Sequence, residues 1–438
     1  MLHGNMTNAE YSRAYSSHKR ELRTRLIPAT YAALAITAGL TFPRIEIHFF
    51  PGFVSTVTVG QATAIYSAIA SGMIALTGIV FSLAFVMIQF SASTYSPRLV
   101  VWIERDPVIS HALGVFTATF LYALSALLWV DRNRSGNVPV GSLLVVGALL
   151  LASVDMFMRL IQLIGLLQVN RMLTFTGDRG RAVIATTYPQ GELGAAAKGP
   201  VDFGGLTCTQ TLIHRGRPRS IQAVDVSALV NLAAASGGII EVAVAVGDTV
   251  VEMLPVFRVY GAQQTIEERK LWDGIEVGDE RTFEQDPKYA IRLLVDIAIR
   301  ALSPAINDPT TAAQALDQIE DLLVRLGQRN LEIGAYRDTA GELRLVVPFP
   351  AWEDLVRLAF DEICFCGATS VQVMRRMNAL ITDLIPHVPE ERRPVLHDWQ
   401  QRVKATIARS FADEEERTEA LKEDRQGLGV PLKDPPIT

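Results

Sequence analysis

Ionisable residues inside apolar runs are the first candidates for chemistry. A charge in hydrocarbon is expensive and persists only with a partner or a task. Asp155, Arg159 and Gln162 stand at i, i+4 and i+7 within an apolar stretch that starts near Val138. That spacing puts all three on one helix face, acid one turn ahead of base, the favourable order for a pair. Two roles fit. One is structural pairing or anchoring, with Arg159 near the inner end of the span and able to snorkel. The other is a part in gating or an ion path. A second pattern lies in residues 62–90, which carry no charge over about 29 positions, roughly 43 Å of helix. Ser67, Ser71, Ala75, Gly78, Ser82, Val86, Gln89, Ser93 and Ser96 recur at steps of three or four, within an arc of roughly 100°. Small polar residues on one face serve either close packing against a neighbouring helix or a pore- or ligand-lining surface. Gln89 is the strongest residue for the latter.

A third group is polar throughout. Arg292, Asp296 and Arg300 recur at steps of four, and Asp308 follows in the connecting SPAINDP segment. Together they can form a charged network, with Arg300 holding Asp308 through a bidentate contact. It reads as a structural clamp or as a ligand site. Beyond these groups the chain offers little chemistry. The seven histidines are scattered, with no H-E-x-x-H, no G-x-x-x-x-G-K-[ST] and no G-x-G-x-x-G. His111 reads as interfacial. Three cysteines in 438 residues make no disulfide framework, and Cys364 and Cys366 are expected as buried thiols on a reducing side. No catalytic residue, metal ligand or cofactor site is assigned, and the expectation is a protein that is not an enzyme. A net charge of −5 gives no electrostatic case for nucleic acid.

These residues need elements to hold them. With 49% hydrophobic residues, a mixed design is expected, part membrane and part soluble. Four spans are predicted at about 26–43, 62–90, 108–130 and 139–167, forming a transmembrane domain over 26–171 after a polar N-terminal segment, 1–25. Residues 44–61 are expected as a loop. Ten Lys/Arg (Arg13, Lys19, Arg20, Arg23, Arg25, Arg98, Arg105, Arg171, Arg179 and Arg181) fall on one side of these spans. Arg44, Arg132 and Arg134 fall on the other. The positive-inside rule then places both termini in the cytoplasm of a bacterial inner membrane.

From about Met172 the helical pattern is expected to cease. A small α/β domain over 172–265 has a strand at 220–225, a helix at 226–236 ended by Gly237, and two strands joined by Val246-Gly247-Asp248. A mainly helical domain covers 266–425. In it Asp286-Pro287 and Asp308-Pro309 each start a helix as N-cap and first residue, and Glu342 to Pro348 forms a strand. Residues 426–438 read as a disordered tail. The fold class is therefore integral-membrane α-helical with four spans, plus a cytoplasmic α/β (α+β) region with C-terminal helices.

Two long stretches, FSLAFVMIQFSASTYSPRL and RTFEQDP with RALSPAINDPTTA, resemble a bacterial family of multi-pass inner-membrane proteins classed as a domain of unknown function. The resemblance implies a membrane location and a cytoplasmic soluble domain, and supplies no activity. The expected function is an oligomeric channel- or transporter-like protein with a cytoplasmic regulatory domain. The alternative is a membrane-anchored scaffold or sensor for a cytoplasmic partner or ligand. The expected partners are the bilayer and further copies of the chain, with any ion or small ligand unidentified. The lower end of the second span is expected to couple the membrane part to the soluble part.

Overall fold

A computed structural model describes residues 17–49, 57–94, 107–130, 138–165, 169–189, 203 and 205–429. The chain divides into two compact units, the first Ser17–Gln168 and the second built on Val169–Thr438.

The first unit contains α1 (Ser17–Phe49), α2 (Val59–Thr94), α3 (Pro107–Leu127) and α4 (Val140–Gly165). Each holds a stretch long and apolar enough to cross a membrane: Leu26–Phe49, Val59–Leu83, Pro107–Leu127 and Val140–Leu163. The organising helix is α3, not α2. In the α3 span 44% of residues are buried, against 17% to 22% in the others, because α1, α2 and α4 all pack on it. Glycines permit the approach. A Cβ on Gly39 of α1 would sit 2.7 Å from Ser125 Cβ, and one on Gly114 of α3 would sit 2.8 Å from the Tyr31 ring.

The first helix runs past the expected stop at Pro43 to Phe49. Transmembrane helices tolerate an internal proline when neighbours satisfy the freed groups. Here the extra turns carry Glu46 to the start of α4, where its carboxylate accepts from Gly141 N (2.6 Å) and Ser142 N (2.9 Å).

The second unit opens with α5 (Val169–Thr187), where irregular chain was expected. Its buried Met172, Leu173, Thr176, Gly177, Gly180, Val183 and Ile184 follow helical spacing. Two glycines and four threonines weaken its intrinsic helix preference, so tertiary packing supplies the stability. A Cβ on Gly180 would lie 2.8 Å from Leu322 and 3.0 Å from Ala290 Cβ.

The strands are β1 (Cys208–Ile213), β2 (Arg219–Val224), β3 (Ile239–Val242), β4 (Thr249–Val250), β5 (Pro255–Tyr260), β6 (Ile275–Gly278), β7 (Ala335–Arg337) and β8 (Leu343–Val346). They form a five-stranded sheet, β1-β5-β3-β8-β7, and a three-stranded sheet, β4-β2-β6. The β3–β8 pair is parallel, Ile240 opposite Leu345, and the other pairs are antiparallel. One core, including Ile221, Val224, Ile240, Phe257 and Leu345, serves both sheets. The two strands expected on either side of Val246-Gly247-Asp248 are β3 and β5, which pair antiparallel with Val242 opposite Phe257; their connection is longer than that turn, because Val250 pairs with Arg219 in the smaller sheet. Helix α6 (Val226–Ser236) is as expected, with Asp225 accepting from Ala228 N and Gly237 left-handed at φ 72°.

Five further helices of fourteen residues or more follow in the second unit: α7 (Pro287–Ala301), α8 (Pro309–Gly327), α9 (Trp352–Cys366), α10 (Val371–Leu384) and α11 (Arg393–Ser410). A shorter one, α12 (Glu414–Leu421), ends the described helices. Helices α7 and α8 pack on each other and on α5. The tail beyond Gly429 lies outside the described residues.

Candidate functional site

In the first unit, α2 buries a line of residues through Ala62, Tyr66, Ala70, Met73 and Val80. Its small-residue stripe lies roughly opposite that line at about 100° per residue. Ser67, Ser71, Ala75, Gly78, Ser82, Val86 and Gln89 are all exposed in the protomer. Apart from α2's own backbone, no atom of the described residues lies within 4 Å of a Cβ built on Gly72 or Gly78. Packing between helices of one protomer therefore does not account for the stripe. Ser93 lies in α2, but its side chain, and all of Ser96, fall outside the described residues.

Asp155 and Arg159 also face outward, with side chains 56% and 58% exposed. Arg159 Nε donates to Asp155 Oδ2 at 2.8 Å, and Gln162 is exposed beside them. The pairing draws the guanidinium toward Asp155, back along α4 and away from the nearer end of the span. A snorkelling arginine would extend the other way.

The protomer interior is filled. Tyr66, Met73, Phe116 and Tyr122 are buried almost completely. Ser142 Oγ accepts from Tyr66 OH (3.0 Å) and lies 3.0 Å from Tyr122 OH. Thr119 Oγ1 and Ser153 Oγ meet at 2.9 Å between α3 and α4. With Glu46, the Ser142 group ties α1, α2, α3 and α4 together at the end where α4 starts. Sequence reasoning missed Glu46 by assigning it to a loop. One signal was available: Val138-Pro139-Val140 opens α4 with no N-cap side chain of its own. Tyr31 OH lies 3.3 Å from His111 Nδ1, tying α1 to α3 at a second point.

In the second unit, Arg292 Nε donates to Asp296 Oδ1 (2.8 Å), and Arg292 Nη2 donates to Glu362 Oε2 of α9 (2.9 Å). The Glu362 contact, which the sequence reading lacked, raises the Arg292 pKa and lowers that of Glu362. Arg300 is half-buried one turn beyond Asp296. Asp308 caps α8, accepting from Thr311 N (3.1 Å) and Thr311 Oγ1 (2.6 Å). Between α7 and α8, the Asp308 N–H donates to Ala301 O and the Asn307 N–H to Ser303 O. Asn307 is left-handed at φ 49°. Pro304, Ala305, Ile306 and Asn307 are exposed at the tip.

The two Asp-Pro starts differ. Asp286 makes no side-chain cap bond. Its side chain is 1% exposed, and Oδ2 accepts from Arg281 Nε (2.9 Å) and Nη2 (2.6 Å). Burial raises its pKa, against the lowering pull of Arg281 and Lys288. Its Oδ1 and the buried Tyr188 hydroxyl have no hydrogen-bond partner among the described residues, and burial, then the Asp286 charge, raises the Tyr188 pKa. Gly247 makes room: a Cβ there would fall 1.9 Å from Asp286 Oδ2. Gln285 completes the RTFEQDP segment, its amide accepting from Val224 N (2.9 Å). Cys364 is buried as expected. Cys366 is exposed, because the last turn of α9 leaves the helix packing, with Phe365 beside it 84% exposed. No group of three or more His, Cys, Asp or Glu residues is placed to hold a metal among the described residues.

A family described as "Predicted membrane protein (DUF2254)" matches residues 23–383. The chain belongs to this family. Its match takes in the four apolar helices and the RTFEQDP and SPAINDP segments. Among curated proteins, this DUF2254 member is similar to uncharacterised proteins of Mycobacterium bovis and Mycobacterium tuberculosis. Each is 28% identical over 379 residues, covering 83% of this chain and 71% of the relative. No solved structure matches.

Proposed function

We propose that the protein is a homo-oligomeric channel- or transporter-like protein of the bacterial inner membrane, with both termini and the second unit in the cytoplasm. The observation that carries this reading is the outward direction of the α2 stripe around a filled protomer interior. A polar route through one protomer would have to displace Tyr66, Phe116 and Tyr122. A route between copies needs no such displacement, and it would use the hydroxyls of Ser71 and Ser82, the amide of Gln89 and the pair on α4. The outward pair argues the same way: a lipid-facing charge costs up to about 2.5–3.5 kcal/mol on insertion scales, most at mid-span and less toward the ends, and a protein neighbour or a watery seam removes that cost. The Lys/Arg asymmetry supports the orientation. The second unit is then the regulatory part. Flux of small ions from liposomes holding the purified protein tests the reading, with native mass spectrometry from lipid for stoichiometry. Oligomers and a flux reduced by Gln89→Leu or Ser82→Leu are expected. Monomers, or no flux across a panel of cations and anions, would overturn it.

The SPAINDP loop favours a second reading, a membrane-anchored scaffold. Its backbone is held by hydrogen bonds and by the α8 cap, yet its tip presents Ile306, 43% exposed. Under that reading Ile306→Asp abolishes capture of a cytoplasmic partner by the full-length protein; unchanged capture removes it.

A further inference from the structure

Helices α2 and α4 run in the same direction. Tyr66 and Ala70 share a cluster with Val146, and Met73 and Val80 share the next with Leu160 and Leu163. The Tyr66–Ser142 hydrogen bond fixes their register. At 1.5 Å per residue, Asp155 and Arg159 lie about 20 and 26 Å along α4 from that bond. The same distances along α2 reach the stretch from Gly78 to Ser82. The outward ion pair and the smallest part of the outward stripe are therefore at one depth.

Depth decides what can meet. Copies related by an axis along the membrane normal bring residues of one depth together, whether the contact is two-fold or cyclic. The two surfaces also complement each other chemically. Ala75, Gly78 and Ser82 leave open space beside α2, which admits a neighbouring helix closely. Across that space, Asp155 Oδ1 and both Nη groups of Arg159 have no hydrogen-bond partner among the described residues. Ser82 supplies a hydroxyl that can donate to the carboxylate or accept from the guanidinium. Lipid tails offer neither.

We propose that the Asp155–Arg159 pair of one copy seats on the Gly78–Ser82 stretch of α2 in a second copy, so that the polar seam is built only between copies. This rests on the homo-oligomeric reading above and names the surface it uses.

The test is disulfide crosslinking of the full chain in its native membrane. Cys208, Cys364 and Cys366 are first replaced by alanine, and two differently tagged copies are co-expressed, one with Ser82→Cys and one with Met158→Cys. Met158 is exposed beside the pair. A mixed-tag dimer at least tenfold above an Ile65→Cys with Met158→Cys control, exposed but mismatched in depth, is expected. Asp155→Leu with Arg159→Leu in the Met158→Cys copy should lower that yield several-fold. Oligomers by native mass spectrometry without the depth-matched crosslink, or equal crosslinking of matched and mismatched pairs, overturn the proposal and leave the oligomeric reading standing. A depth-matched crosslink without flux supports the seam and removes the channel reading. Monomers remove both.

Discussion

At the scale of single residues, the most consequential side chain that sequence reasoning misplaced is Asp286. The Asp-Pro dipeptides that open α7 and α8 have the same helix-start signature, and of these two only Asp308 uses its side chain as the cap. The difference lies five residues upstream, where Arg281 offers two charge-assisted hydrogen bonds in a buried place. No local rule for N-caps contains that information. Burial raises the Asp286 pKa above its ordinary 3.8, so the folded state holds the proton more tightly than the unfolded chain. Its contribution to stability is full below 3.8 and is lost as pH rises through the raised value. The melting temperature of wild type minus that of Asp286→Asn, measured in one detergent, should fall as pH rises from about 4 and then level off. A difference that grew with pH would mean the Arg281 pair outweighs burial. The cysteines give a second check. A maleimide should label Cys208 and Cys366 in the folded protein and spare Cys364, whose thiol burial pushes up. Protection of Cys366 would return it to the buried state that its apolar surroundings in sequence suggest.

At the scale of elements, the spans were legible because hydropathy over twenty residues needs no tertiary knowledge. The α2 periodicity was legible too, but not the direction of its stripe: a period fixes which residues share a face and says nothing of what that face meets. Helix α5 was obscured by Gly177 and Gly180, which read locally as breakers and act structurally as clearances for Gln318 and Leu322. Gly180→Ala should therefore cost about 1–3 kcal/mol despite alanine's better helix preference. A rise in melting temperature instead would show that α5 stands off from α7 and α8. The end of α1 was obscured by Pro43, and the cap it delivers is non-local. Ser142→Ala leaves the Tyr66 hydroxyl without its acceptor and the Tyr122 hydroxyl without its partner, a loss of about 1–3 kcal/mol for each buried group. Glu46→Gln, which keeps one acceptor oxygen and removes the charge at the α4 N-terminus, should cost less, about 1 kcal/mol. Equal losses in chemical denaturation would refute this division of roles.

At the scale of the whole molecule, orientation governs how the parts can act together. The longer α1 favours the proposed orientation, since Arg44 becomes part of a helix and, of the Lys/Arg assigned to the proposed outer side, Arg132 and Arg134 alone fall between helices. Opposite them stand Arg98, Arg105 and Arg171 with the basic residues before Leu26. Only Lys/Arg close to the span ends carry weight under the positive-inside rule, and these qualify. The proposed orientation would also assign chemistry to sides: it would put the Glu46–Ser142 group at the outer end and the Asp155–Arg159 pair nearer the cytoplasm. A fluorescent protein at the C-terminus should therefore fluoresce, and alkaline phosphatase joined there should be inactive. Phosphatase inserted between Asn133 and Gly136 should be active. Reversal of both readouts would invert the molecule and expose the second unit outside. An inactive phosphatase at both places would mean that the α3–α4 connection never crosses. Changing Arg98, Arg105 and Arg171 together to glutamine should weaken the bias and yield a mixed population, in which both fusions report partial activity.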